Sequence, residues 1–164
     1  MKKEIISQYK ASLNMLMDTI KKCPDSLWEN NDYGNAYWRI IYHTLFYTSL
    51  YLSRSNAQFI LWEKHKVNYN FLGTVTRDNQ PIIIDNTYSK NEMTEYLESI
   101  YNKCENSVND TLPDEKSGFE WLPMSKIETH LYNIRHIQHH AGQLIERLHQ
   151  KGVTGIKWER KSYE

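Results

Sequence analysis

Cysteine is scarce in this chain. Only Cys23 and Cys104 occur among 164 residues, with no CxxC pair, so no disulfide framework can be built. Both fall near expected helix ends and read as reduced thiols, a single staple between two helices being the alternative. An excess of positive charge is also missing, since Lys plus Arg and Asp plus Glu are 20 each. That balance argues against a nucleic-acid backbone or an anionic membrane as partner, and no stretch concentrates a basic patch. Long apolar runs are absent too: Ile40 to Leu52 is rich in apolar and aromatic residues, but Arg39, His43 and Arg54 leave no clean membrane span. The start, Lys2-Lys3-Glu4, lacks the apolar core of a signal peptide. No internal repeat or low-complexity segment is evident. A cytoplasmic protein is the resulting expectation.

What is present suits one globular domain over residues 1–164. Hydrophobic residues make up 40% and aromatics 13%, including twelve Tyr and five Trp. Aromatics of this kind close a core while keeping a polar end at a pocket or interface. Ile5, Ile6, Tyr9, Leu13, Leu16, Met17 and Ile20 recur at helical spacing and predict a first helix from Glu4 to about Lys22, stopped by Pro24. A second, very apolar helix is expected from Ala36 to about Lys64. Residues 65–88 read as a long irregular crossover, with Ile82-Ile83-Ile84 as a short strand or a groove plug. Ser89-Lys90-Asn91-Glu92 has capping-box spacing and starts a third helix running to about Asp110. Ser125-Lys126-Ile127-Glu128 repeats that spacing before a fourth helix that runs to about Lys151, with Gly152 as its C-terminal glycine. Residues 153–164 form a tail in which Ile156 and Trp158 offer packing surface. The fold class expected is all-α, a four-helix bundle with a long crossover between helices 2 and 3.

The chemistry concentrates in the fourth helix, where Arg135-His136-Ile137-Gln138-His139-His140-Ala141-Gly142-Gln143-Leu144 holds three histidines in five residues. His136 and His140 are one turn apart and about 40° apart around the helix, so one divalent ion can be gripped by both. They flank an apolar stripe of Ile127, Leu131, Ile134, Ile137, Ala141, Leu144, Ile145 and Leu148, which suits a cleft between helices. A solvated polar flank is the bland alternative. The pair is not a metalloprotease motif, because Ile137-Gln138-His139 places no Glu between the histidines. His43, set in the apolar second helix, is the leading third ligand, with a hydrogen-bonded core histidine as the alternative. His139 points away from His140 and suits a supporting, interface or exposed role. His130 is read as packed or hydrogen-bonded, and His65 and His149 as surface groups near helix ends.

The segment His136 to Leu144, together with His43 upstream, resembles the last-helix signature of the DinB/YfiT-like superfamily. The likeness covers nearly the whole chain. It implies a four-helix bundle, often a homodimer, in which His43, His136 and His140 hold one zinc or nickel ion near one end. His139 matches a frequent neighbour of the last ligand that is not itself a ligand. Ala141 stands where many members have Arg, whereas Gly142-Gln143 agrees with them. The resemblance also implies a divalent-metal-dependent thiol transferase or hydrolase that acts on a small electrophile, with a low-molecular-weight thiol as cosubstrate. The alternative is a non-catalytic, stress-related metal-binding dimer. Three neutral imidazoles leave a coordination position open to water or a thiolate. Glu120, Glu128 and Tyr47 are the nearby groups for proton transfer, each better suited to a structural or surface role. Trp38, Tyr42 and Trp121 are offered as pocket walls or, more simply, as core.

Overall fold

Four long amphipathic segments form the helices that carry the structure, a computed structural model that describes residues 1–162. Helix α1 spans Lys2–Lys22, a single-turn α2 spans Asp25–Trp28, α3 spans Tyr37–Leu52, α4 spans Lys90–Asn109 and α5 spans Lys126–Gln150. Among the described residues there is no strand, only isolated bridges at Val75–Pro81 and Lys116–Ser125. The run Ile82 to Ile84 follows a tight loop closed by Thr76 N–H to the Gln80 carbonyl (2.8 Å). Ile84 packs on the core while Ile83 stays exposed.

Helix α1 packs on α4 and α5, and α3 packs on the same two helices. Lys2 reaches the carbonyls of Asn109 and Thr111 at the far end of α4, so α1 and α4 are antiparallel. Asn133 bonds the Thr48 carbonyl and Lys126 the Tyr51 carbonyl, which makes α3 and α5 antiparallel. Tyr42 lies against Tyr96 and Leu52 against Ser107, so α3 and α4 run parallel. Parallel neighbours require a connection that returns along the bundle, and this is the physical reason for the long crossover. Aromatic residues pin it down: Trp62 stacks on Tyr96 (4.5 Å), and Tyr88 packs on Trp38 and Tyr42.

Helix α3 ends at Leu52, short of Lys64. Its last carbonyls are taken by side chains from other elements. Lys126 Nζ donates to Tyr51, Ser53 and Ser117, and Ser107 Oγ donates to Leu52. Lys126 is 3% exposed, and burial pushes its amine down to about 8. Gly118, at φ +81°, passes so close to Arg54 that a Cβ would meet its carbonyl oxygen. Chain direction therefore changes at Ser53, and only a 3-10 turn at Asn56–Gln58 follows.

The capping box expected at α4 forms in full, and the one expected at α5 forms by its serine half. Ser89 and Glu92 make a reciprocal capping box, and Ser125 Oγ accepts from Glu128 N–H (3.1 Å). At the end of α5, Gly152 (φ 74°) donates to His149 and Val153 to Leu148, a Schellman closure. The tail then turns back along α1: Lys22 bonds the Gly155 carbonyl, Asn14 bonds Glu159, Gln8 bonds the Arg160 carbonyl and Ser162 bonds Ser7. Ile156 packs while Trp158 is exposed. Cys23 and Cys104 are buried and free, and burial raises their thiols to about 12 and about 11.

Candidate metal centre

His43 projects from the middle of α3, and His136 and His140 from successive turns of α5. Because α3 and α5 lie side by side and antiparallel, the three imidazoles meet between them. Their ring centroids are 5.3 Å (His43–His136), 4.8 Å (His43–His140) and 4.7 Å (His136–His140) apart. One ligating nitrogen from each falls within 4.8 Å of the other two. His140 is buried, and His43 and His136 are half-buried.

Hydrogen bonds settle the orientation of two rings. His43 Nδ1 lies 2.7 Å from the Asn70 carbonyl, which can only accept, so the proton sits on Nδ1 and the Nε2 lone pair faces the cluster. His140 Nδ1 is 2.8 Å from Gln143 Oε1, which orients its Nε2 in the same way. Gln143 Nε2 in turn reaches His139 Nε2 at 3.3 Å, so His139 stands outside the trio as a support for Gln143. His136 Nε2 is 3.3 Å from His43 Nε2. Two imidazole nitrogens bound to one tetrahedral zinc at its usual bond length lie about 3.4 Å apart. The Nδ1 atom of His136 is buried without a protein partner. In either tautomer, then, this ring leaves one buried polar atom unmet by the chain.

Burial also fixes the charge state. It pushes His43 down to about 4 and His136 to about 3, and lowers His140, with the neighbouring imidazoles adding to the effect at His43 and His136. All three are neutral at pH 7 and keep their lone pairs. A donor set of neutral imidazoles, preoriented by a carbonyl and an amide, fits a divalent metal ion.

Most surrounding side chains take the structural or surface roles expected of them; His65, half-buried, and Trp121, exposed, do not. Tyr47, one turn beyond His43, packs its ring on His43 (4.8 Å) and His136 (5.9 Å), and its hydroxyl accepts from Asn70 Nδ2 (3.4 Å). Asn70 thus supports both a histidine and the neighbouring tyrosine. Its main-chain carbonyl is invisible to motif reading, because any residue type carries one. Arg39, a turn before His43, secures the same loop through the carbonyls of Phe71 and Gly73 (2.9 and 3.0 Å). Trp38 and Tyr42 belong to the core, with the Tyr42 hydroxyl on His65 Nδ1 (2.6 Å). Trp121 is 47% exposed against Phe119. Glu120 and Glu128 are exposed. His130 is fully buried, between the Tyr9 hydroxyl (3.1 Å) and the Thr111 hydroxyl (3.0 Å).

Compared with known proteins, the chain matches no family model, no curated protein and no solved structure. No helix among the described residues is long and apolar enough to cross a membrane.

Proposed function

We propose that His43, His136 and His140 hold one divalent metal ion, zinc or nickel, in a cytoplasmic homodimer of the DinB/YfiT-like kind. The observation that carries this reading is the convergence of two Nε2 atoms at 3.3 Å, with the Asn70 carbonyl and the Gln143 amide turning His43 and His140 inward. When bound, such an ion lowers the pKa of water or binds a thiolate, which supports transferase or hydrolase chemistry on a small electrophile. The chain's own contribution is to keep three imidazoles neutral and oriented. Tyr47 walls the half-buried side of the cluster with its ring.

A low-molecular-weight thiol is the proposed cosubstrate. The test is thiol consumption with a panel of small electrophiles, comparing metal-loaded with chelated protein. Faster consumption in the loaded sample supports thiol transfer, and equal rates rule it out. The second reading is a non-catalytic, stress-related metal-binding dimer, in which the same three imidazoles hold the ion without turning over a substrate.

A further inference from the structure

The apolar stripe of α5 and its buried face do not coincide. Ile127, Leu131, Ile134, Ile137, Ala141, Leu144, Ile145 and Leu148 centre on one side of the helix. The buried face instead centres on Lys126, Thr129, His130, Asn133, Ile137, His140, Ala141, Leu144 and Leu148, rotated about 60° toward α3. The rotation leaves apolar side chains over. Ile127 and Ile134 are half-buried and Leu131 is 50% exposed. With Met1, Glu4, Ile5 and Gln8 of the α1 side they line an open groove of about 450 Å³, in which the Glu4 carboxylate is paired with the N-terminal amine. The tail follows α1 as far as Gln8 and Ser7.

The charges beside this groove are self-complementary. Ile127, Leu131 and Ile134 follow the four-then-three spacing of a helix-pairing seam. Glu128 and Arg135 then occupy the same flanking position one heptad apart, on the outer edge. Both side chains are exposed, and neither has an ion-pair partner among the described residues. When two such helices cross antiparallel about a two-fold axis, like flanking positions face each other. Glu128 of each protomer then meets Arg135 of its partner, and the contact occurs twice by symmetry.

We propose that this groove is the docking face for a second copy of the chain, with the two α5 helices antiparallel across a two-fold axis near Leu131. Leu131 of each protomer fills the groove of the other. This rests on the homodimer reading above and names its face and register. The metal sites lie on the α3 side of α5, away from the seam, so each protomer keeps a complete trio of histidines.

Sedimentation equilibrium on the full chain tests the proposal. Wild type is expected to be a dimer. Leu131→Glu, at a half-exposed position, raises the dissociation constant by about 100-fold or more while helix content and metal uptake stay unchanged. Glu128→Arg and Arg135→Glu each weaken the dimer about 10-fold, and the double variant returns to within about 3-fold of wild type. A wild-type dimer unaffected by Leu131→Glu overturns the face and leaves the homodimer reading standing. A double variant no tighter than the singles overturns the antiparallel register. A wild type that is monomeric at every concentration, its groove left to some other partner, overturns both the proposal and the homodimer reading.

Discussion

His130 provides a clean probe of the buried polar seam in α5, because it is fully buried and lies outside the metal cluster. Burial first, and the nearby Lys126 charge second, push it down to about 4. In the unfolded chain an ordinary histidine takes up a proton near pH 6.5. Above that pH both states are neutral and the group has no pH-linked effect. As pH falls below 6.5 the unfolded state binds a proton that the folded state refuses, so stability declines until the folded group itself protonates near 4. At pH 5 the loss from this one residue is about 2 kcal/mol, a sizeable part of a typical 5–15 kcal/mol. The slope it contributes is about 1.4 kcal/mol per pH unit. His130→Gln costs some packing at every pH but removes that slope. Urea unfolding followed by circular dichroism, in chelator at pH 7.0, 6.0, 5.5 and 5.0, measures both chains. Equal slopes for wild type and variant between pH 6 and 5 would contradict this, because His130 would then titrate alike in both states.

Two further substitutions test how the site and the fold are supported. Gln143→Leu removes the acceptor for His140 Nδ1 without removing a histidine, and metal affinity by calorimetry is expected to fall about 10- to 100-fold with stoichiometry unchanged. Lys126→Ala leaves the carbonyls of Tyr51, Ser53 and Ser117 without their donor. Unfolding stability is expected to drop by about 3 kcal/mol in a urea melt at pH 7, and a change under 1 kcal/mol would show that the amine does not close the end of α3.

Local signals were legible wherever local chemistry decides the outcome. Ser89 with Glu92 and Gly152 after Gln150 mark helix ends through their own side chains or φ angle, and the structure has them there. The pairing of His136 with His140 follows from helix geometry, and His43 stood out because an imidazole in so apolar a run needs a partner. The end of α3 was not legible. Phe59, Ile60, Leu61 and Trp62 continue an apolar pattern, but closure by Lys126 and Ser107 from distant segments ends the helix at Leu52. The true inward face of α5 was hidden for a similar reason. His130 and Asn133 turn inward because Tyr9, Thr111 and the Thr48 carbonyl meet them, and Leu131 turns out. Asn70 acts on His43 through its main chain, which no residue type announces.

On the proposed function, His43, brought from a different helix, completes a metal site with His136 and His140. Elemental analysis after metal saturation and gel filtration measures it most directly, on wild type and on His43→Ala side by side. One zinc or nickel ion per chain in the wild type and none retained by the variant is the predicted result. Equal metal content in the two chains, or none in either, would contradict it.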